Sequence, residues 1–318
     1  MAAQAAQDSN ASLRLTDLFD VKDRGSKSTP RYHIHVTNCC AVAIVSGAGT
    51  GIGLMQAQAL AVNGAKVYIV GRHEEKLDQV AELYGKNIDG KIIPLTADIT
   101  CKKSIANLVK DFSSREDHLD ILMNTAGIAG QSQPVNSSNP EELRKSLFDN
   151  ETATFADWDA IYRTNVSHLY FMTTAFLPLL QKGSDKRYAW SSVVINTSSI
   201  SGIVKVSQNH FAYNASKAGA VHLTKMLAYE MSNAGLKIRI NQIAPGAFPS
   251  EMTAMSSDDK HKSHLPKGMM EGVVPAARPG HDRDMASATI FTTTNQYLNG
   301  ATIVVDGGYI LATGAVTV

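Results

Sequence analysis

The sequence is poor in the features that mark secreted, membrane-spanning and nucleic-acid-binding proteins. Its 318 residues include three cysteines, no apolar run of 18 or more residues, and a formal net charge of +1. Three cysteines, two of them adjacent at Cys39 and Cys40, do not make a disulfide framework. The N-terminus has neither a basic start nor an apolar segment, so it does not predict a signal peptide. We therefore expect a cytoplasmic protein with no membrane or nucleic-acid partner.

The composition and the order of apolar segments indicate one α/β domain. Apolar residues make up 44% and charged residues 19%, which is typical of a soluble protein with a full core. From residue 41, short apolar strands alternate with helices, as in βαβ units. This pattern predicts a doubly wound (Rossmann) parallel seven-stranded sheet with helices on both faces, in a single domain over residues 41–318. The predicted strands are 41–46, 65–71, 91–98, 119–127, 192–199, 236–246 and 300–308, and the predicted helices are 54–62, 74–84, 104–112, 157–180, 213–232 and 284–292.

Two polar stretches interrupt this alternation. Residues 20–40 form a basic, turn-rich insert within an N-terminal extension (residues 1–40), and we expect the insert to be exposed, poorly ordered and dispensable for cofactor binding. His33 and His35 lie in it, but two histidines without further spaced ligands do not predict a metal site. Residues 130–156 are rich in Ser, Asn and Pro and predict a surface loop that could hold one short helix.

A glycine-rich turn follows the first predicted strand. The sequence SGAGTGIG places Gly47, Gly51 and Gly53 between that strand and the first helix, which is the context of a dinucleotide-binding motif. Glycines let the backbone approach a pyrophosphate, and the helix N-terminus presents free N–H groups to it. The alternative is a tight strand-to-helix turn that binds no ligand.

A tyrosine and a lysine share one helix face further along the chain. In YNASK, Tyr213 and Lys217 are four residues apart, so their Cβ atoms lie about 5–6 Å from each other. At ~6 Å and an effective dielectric of ~20, a cation stabilises a phenolate by roughly 2.8 kcal/mol, or about two pKa units. The pair therefore predicts a tyrosine whose pKa is lowered toward the range of a general acid and base.

These motifs and several others resemble those of the short-chain dehydrogenase/reductases. The resemblance runs from about Ala41 to Tyr309 and includes, in the family's order, SGAGTGIG, ADIT, NTAG, YRTNVSHLYF, NTSSISG, YNASK, NQIAPG and VVDGGY. Thr125 in NTAG replaces the usual second asparagine, which at most weakens one hydrogen bond to the neighbouring strand. The resemblance implies an enzyme that reduces a carbonyl to a secondary alcohol, or catalyses the reverse, with a nicotinamide coenzyme.

The resemblance also implies four catalytic residues. Tyr213 would act as general acid and base, Lys217 would bind the nicotinamide ribose, and Asn165 would fix a water in a proton relay. Ser199 would hold the substrate oxygen, with Ser198 as the second choice, because neighbouring residues of a strand point to opposite sides. For Asn165 the alternative is an asparagine that only packs between helices. For the whole set it is a helix-surface Tyr and Lys beside strand-end serines.

The end of the second predicted strand decides the expected coenzyme. NAD-binding folds usually place a carboxylate there. This chain has Gly71 followed by Arg72, which leaves room for a 2′-phosphate and can bind it with two hydrogen bonds. We therefore expect NADP(H); in the alternative, Glu74 or Glu75 binds the ribose and Arg72 is solvated. Thr50 stands where some NADP-preferring relatives carry a second basic residue, so Arg72 would act alone. The residues that the resemblance assigns to coenzyme binding are Gly47, Thr50, Gly51, Ile52, Gly53, Arg72, Asp98, Ile99, Asn124, Ala126, Gly127, Tyr213, Lys217, Pro245, Gly246, Phe248 and Ser250.

The segment after the sixth predicted strand, residues 247–280, corresponds to the family's substrate loop. Met252, Met255, Met269 and Met270 would line an adaptable apolar pocket there, or they belong to ordinary packing of two short helices. The expected substrate is a small carbonyl compound or secondary alcohol of moderate apolar size.

The leading hypothesis is an NADPH-dependent carbonyl reductase. The alternatives are an NAD-dependent alcohol dehydrogenase of the same fold and a catalytically idle nucleotide-binding protein with a regulatory role. Predicted helices 157–180 and 213–232 carry many apolar residues, among them Phe171, Phe176 and Leu227. In this family such helices pair across a two-fold axis, so we expect a homodimer or homotetramer.

Overall fold

Seven parallel strands form one sheet in this computed structural model, which describes residues 10, 13–14 and 41–314. The strand order is β3-β2-β1-β4-β5-β6-β7, and each neighbouring pair is parallel. The fold class predicted from the sequence is therefore confirmed. The predicted insert at residues 20–40 lies outside the described residues. The strands are β1 (Val42–Ser46), β2 (Lys66–Gly71), β3 (Lys91–Thr96), β4 (Ile121–Asn124), β5 (Ser192–Thr197), β6 (Ile238–Pro245) and β7 (Thr302–Val305).

Helices cover both faces of the sheet, and most of their ends lie within three residues of the prediction. The predicted helix 157–180 is in the structure two α-helices that span Phe155–Tyr162 and His168–Asp185. A single π-helical turn, Arg163–Ser167, joins them. Two of the helices are five residues or shorter, which is too short for a periodic signal in the sequence. The helices are α1 (Gly51–Val62), α2 (Glu74–Tyr84), α3 (Lys102–Arg115), α4 (Pro140–Leu147), α5 (Phe155–Tyr162), α6 (His168–Asp185), α7 (Phe211–Asn233), α8 (Glu251–Ala254), α9 (Asp282–Thr294) and α10 (Tyr309–Thr313).

Two apolar layers bury the sheet, one on each face. Leu77 of α2 and Met285 of α9 pack on one face, and Phe112 of α3 and Phe176 of α6 pack on the other. The Phe112 ring meets the rings of Tyr68 and Phe176 edge-on, at centroid distances of 5.1 and 5.7 Å. The apolar strands are therefore covered on both sides, as their near-continuous hydrophobic sequences require.

The strand order opens a crevice at the carboxyl ends of the central strands. Strand β1 lies between β2 and β4, so the order of the chain reverses at β1. At the ends of the strands, Ser46 of β1 is level with Asn124 of β4, which in turn is level with Asn196 of β5. Ligands of open α/β sheets bind outside the carboxyl ends at such a reversal, so the topology places the candidate site here.

The apolar residues of the long helices divide between the core and the surface. Phe176 and Leu227 are buried in the core of this chain, so these two apolar residues of the long helices are not available to a subunit interface. Phe171 of α6 is partly exposed, and Tyr170 and Tyr229 are more so. Within the described part of the chain, no helix is both long and apolar enough to cross a membrane.

We expect these exposed aromatic side chains to be covered in an oligomer, because water-exposed aromatic area is a large source of association energy. Sedimentation at micromolar protein should give a dimer or tetramer, and Phe171→Asp together with Tyr229→Asp should shift it toward monomer. Tyr188→Asp, which changes a fully exposed residue beyond the end of α6, is the matched control and should leave the assembly intact. A monomeric unmutated protein would contradict the prediction.

Candidate active site

A cavity of about 820 Å³ lies at the carboxyl ends of the central strands, within the size range of small-molecule and cofactor sites. It brings together most of the residues singled out in the sequence, from the glycine-rich turn to the loop after β6. Asn124 and Asn165 are the two predicted site residues that do not line it. The predicted residues that line it are Gly47, Thr50, Gly51, Ile52, Gly53, Arg72, Asp98, Ile99, Ala126, Gly127, Ser198, Ser199, Tyr213, Lys217, Pro245, Gly246, Phe248 and Ser250.

The glycine-rich turn is packed so closely that side chains would not fit. A Cβ atom on Gly47, whose φ is +67°, would lie 2.7 Å from the Ala126 Cα, and one on Gly53 would lie 2.3 Å from the Gly47 carbonyl oxygen. Thr50 precedes α1 without a side-chain hydrogen bond to the helix N-terminus, so its side chain satisfies none of the first N–H groups of α1. Free N–H groups at a helix start, on glycine backbone that lines the cavity, are suited to a dinucleotide pyrophosphate.

Three predicted catalytic side chains meet at the end of β5. Ser199, Tyr213 and Lys217 all line the cavity, and the Ser199 Oγ accepts the Ser201 N–H at 3.1 Å. The Lys217 Nζ lies 5.6 Å from the centre of the Tyr213 ring and donates to the Thr197 carbonyl at 2.9 Å. A serine, a phenol and an ammonium group therefore share one wall of the cavity.

The structure distinguishes the two candidate serines. The Ser198 N–H and hydroxyl both donate to the Ile243 carbonyl of β6, at 2.9 and 3.1 Å. Ser198 is thus engaged with the neighbouring strand, whereas Ser199 lines the cavity with Tyr213 and influences the pKa of that phenol. The geometry supports Ser199, the first choice from the sequence.

Burial controls the protonation of the tyrosine and the lysine. Loss of hydration raises the pKa of Tyr213, and the hydrogen bond from Ser199 opposes this only in part. Burial also lowers the pKa of Lys217 to about 8. The expectation of a lowered Tyr213 pKa is therefore wrong for this structure, because the cost of burying a phenolate has the larger effect.

Asn165 holds the backbone of the loop that follows β4. Its Oδ1 accepts the Ile128 N–H, and its Nδ2 donates to the Ile128 carbonyl and to the Ser216 hydroxyl, each at 2.9 Å. The Ser216 hydroxyl in turn donates to the Tyr213 carbonyl at 2.7 Å. Both amide hydrogens of Asn165 are used in these contacts, which is the geometry of the packing alternative; a role in a water relay stays a prediction.

Asn124 is also a structural residue in its contacts. Its Nδ2 donates to the Asn196 Oδ1 at 2.9 Å and so ties β4 to β5 inside the sheet. The neighbouring Thr125 keeps a bond to β5 as well, since its hydroxyl oxygen accepts from the Thr197 hydroxyl at 3.1 Å. The threonine in NTAG is therefore still hydrogen-bonded to the neighbouring strand.

Two cationic side chains that were not predicted from the sequence also line the cavity. Lys76 and Arg163 line it together with Arg72, whereas Glu74 and Glu75 do not. Lys76 lies in the first turn of α2 and Arg72 precedes that helix, so helical spacing does not predict that the two residues line one cavity. The pKa of Asp98 is lowered, first by hydrogen bonds from Thr100 and then by the charges of Arg72 and Arg163.

The substrate loop contributes less than expected. Of its four methionines only Met252 lines the large cavity; Met255 and Met269 are exposed, and Met270 is buried elsewhere. The hypothesis of a shared methionine pocket is therefore wrong. Across residues 10, 13–14 and 41–314, no group of three or more His, Cys, Asp or Glu side chains could hold a metal ion.

Comparisons with known proteins agree with this geometry. The family model described as short chain dehydrogenase matches residues 41–261. A curated relative, the short-chain dehydrogenase/reductase PhomF′ of Diaporthe leptostromiformis, is 38% identical over 278 residues, covering 86% of this chain and 92% of the relative. The rhamnolipids biosynthesis 3-oxoacyl-(acyl-carrier-protein) reductase of Pseudomonas aeruginosa is 30% identical over 276 residues, covering 85% and 96%. Among solved structures, the Pseudomonas aeruginosa RhlG/NADP active-site complex superposes with a TM-score of 0.69 at 26% identity, covering 86% of this chain and 97% of that chain.

We expect Asn165→Ala to destabilise the protein by about 1–3 kcal/mol, because it leaves the Ile128 N–H and carbonyl without their partners. Urea denaturation measures the change. Asn136→Ala, an exposed asparagine in the loop before α4, is the control and should alter stability by less than about 0.5 kcal/mol. Equal midpoints for Asn165→Ala and the unmutated protein would show that Asn165 does not hold this loop.

Proposed function

The chain belongs to the short-chain dehydrogenase family, and we propose on that premise that it is an NADPH-dependent enzyme that reduces a carbonyl to a secondary alcohol, or catalyses the reverse. Membership of the family makes it an oxidoreductase. One observation carries the finer proposal: Ser199, Tyr213 and Lys217 line the same cavity as the glycine-rich turn, with the Lys217 Nζ 5.6 Å from the centre of the Tyr213 ring.

Tyr213 is proposed as the proton donor to the carbonyl oxygen. The bound nicotinamide supplies the hydride, so the protein must provide a proton and hold the oxygen that receives it. A raised pKa keeps the phenol protonated at neutral pH. The Ser201 N–H fixes the Ser199 oxygen in the cavity wall, and we propose that the Ser199 hydroxyl turns to donate to the substrate oxygen, where it would stabilise developing negative charge.

Lys217 is proposed to stabilise the phenolate that remains after proton transfer. The Lys217 Nζ lies 5.6 Å from the centre of the Tyr213 ring, and a cation at such short range favours the charged form of the phenol. With a pKa of about 8, Lys217 is mostly charged at pH 7. The Thr197 carbonyl fixes its position, so the cation lies close to the tyrosine throughout the reaction.

The coenzyme proposal rests on the charges at the end of β2. Gly71 and Arg72 line the cavity, and neither Glu74 nor Glu75 reaches it, which counts against the alternative in which a glutamate binds the ribose. A carboxylate at this place would repel a 2′-phosphate, whereas a guanidinium group binds it well. The likeness to a structure whose title names NADP supports the same choice.

The substrate is proposed to be a carbonyl compound of moderate apolar size. The match to a relative named for 3-oxoacyl reduction spans 96% of that relative's length. Phe248 and Met252, in the loop after β6 and in α8, add apolar side chains to the cavity wall. The named substrate class of that relative is therefore a reasonable first member of a test panel.

We expect Tyr213→Phe to lower turnover of a ketone panel by at least ~10²–10⁴-fold, the usual effect of a lost general acid, with NADPH binding nearly unchanged. Steady-state kinetics and fluorescence titration with NADPH measure the two quantities. Tyr297→Phe, at a fully exposed tyrosine, should leave both unchanged. Near-normal turnover by the Tyr213 variant would sink the assignment, and an unmutated protein that binds NADPH but reduces nothing would favour the idle nucleotide-binding alternative.

Arg72→Ala should reduce the preference for NADPH over NADH by roughly 1.5–3 kcal/mol, or about 10- to 150-fold in the ratio of dissociation constants. The loss follows because the variant removes hydrogen bonds to a charged group that NADH lacks. Arg115→Ala, which removes an exposed arginine from α3, is the charge control. Equal dissociation constants for the two coenzymes in the unmutated protein would refute the coenzyme assignment.

A further inference from the structure

We propose that Lys76 is a second cation for the 2′-phosphate of NADPH, and that Glu251 of the substrate loop holds it beside the glycine-rich turn until the coenzyme binds. This inference deepens the proposed function and rests on the proposed coenzyme choice.

Lys76 lies against the glycine-rich turn, where Thr50 stands in place of the second basic residue of some NADP-preferring relatives. A Cβ atom on Gly49 would lie 3.4 Å from the Lys76 Cδ, so the lysine stem runs over this turn. Lys76 and Arg72 line the same cavity as Gly71 and Thr50. Helix α2 therefore brings an ammonium group to the turn that carries only a threonine, on the side of the cavity that also holds the arginine.

Lys76 is held there by a carboxylate from the substrate loop. Its Nζ lies 2.6 Å from the Glu251 Oε1, while the loop itself rests on the turn: a Cβ atom on Gly51 would lie 2.8 Å from the Ser250 Cβ. The Lys76 and Glu251 side chains are 30% and 40% exposed. Ion pairs this exposed contribute little to stability, so the lysine can exchange one anion for another at small cost.

A 2′-phosphate is the stronger partner for the lysine. A phosphate monoester carries about −1.5 to −2 charge near neutral pH and three acceptor oxygens, against one charge on the carboxylate. Glu251 would still have hydrogen-bond donors after Lys76 moves to the phosphate. The Ser257 hydroxyl donates to its Oε1 at 2.6 Å, and the Thr50 hydroxyl donates to its Oε2 at 3.4 Å. NADH has no 2′-phosphate, so Lys76 would stay paired with Glu251 when NADH binds. The exchange of partners would therefore strengthen the binding of NADPH and not that of NADH.

Calorimetric titration with adenosine 2′,5′-bisphosphate and with adenosine 5′-phosphate tests this without catalysis. We expect Lys76→Met to lower the preference for the bisphosphate by about tenfold or more and to leave binding of the 5′-phosphate nearly unchanged, and Lys76→Arg to retain most of the preference. Lys86→Met, which removes an exposed lysine just beyond the end of α2, should change neither. Loss of affinity for both ligands in equal proportion would mean that Lys76 only supports the loop, and would overturn the proposal.

The competition with Glu251 has its own test. Glu251→Gln removes the carboxylate that competes for Lys76. It should tighten binding of the bisphosphate several-fold when Lys76 is present, but not when it is combined with Lys76→Met. An equal effect of Glu251→Gln in both backgrounds would show that the two residues do not compete for the phosphate.

The two proposals fail in different ways. If the unmutated protein binds the bisphosphate no more tightly than the 5′-phosphate, the NADPH assignment falls and this inference falls with it. If the unmutated protein prefers the bisphosphate and only Arg72→Ala removes that preference, the coenzyme assignment stands and the role of Lys76 is wrong.

Discussion

The close approach of the glycine-rich turn to the loop after β4 is the contact on which the site depends. Gly47 and Ala126 come so near that a side chain on Gly47 would collide with backbone. Two residues further on, the Ile128 N–H and carbonyl are both hydrogen-bonded to the Asn165 side chain. Through Ser216, the same asparagine reaches α7, which carries the tyrosine and the lysine. A continuous series of contacts, made by backbone and by the Asn165 and Ser216 side chains, thus joins the glycine-rich turn to the helix that carries the candidate catalytic residues.

Burial sets the electrostatics of the inner half of the cavity. Lys217 is an ammonium group in the protein interior, and the Thr197 carbonyl is its hydrogen-bond acceptor. Its charge and the burial of His168 together lower the pKa of that histidine to about 3, with burial the larger cause. His168 is therefore neutral at physiological pH and leaves Lys217 as the cation beside Tyr213. Burial also raises the pKa of Tyr213, as the proposed role of this phenol as a proton donor requires.

The outer half of the cavity works by exposed charge instead. Arg72, Lys76 and Arg163 line it in partly hydrated positions, where single ion pairs are weak and can be exchanged. In the proposed function these cations would select the coenzyme by the anion it carries. The substrate loop enters this half through Glu251, so the structure links the coenzyme region to the loop that covers it by one ion pair.

The sequence alone determined the features that depend on local or repeated patterns. Alternating apolar strands and helices predicted the seven-stranded parallel sheet, the glycine spacing predicted the turn, and the four-residue spacing of Tyr213 and Lys217 predicted their shared helix face. Each of these follows from the geometry of a single element or of neighbouring elements. Helices α8 and α10 were not predicted, because so few residues carry no periodicity.

Only the tertiary structure decided the properties that depend on what surrounds a side chain. The packing of β5 against β6 engages the Ser198 hydroxyl, whereas Ser199 accompanies Tyr213 in the cavity wall. Burial, which no spacing reveals, raised the pKa of Tyr213 where the charge of Lys217 alone suggested a decrease. The partner of Lys76 lies 175 residues away in the chain. Such contacts are set by how distant elements pack, because hydration, charge and hydrogen bonding act through space and not along the sequence.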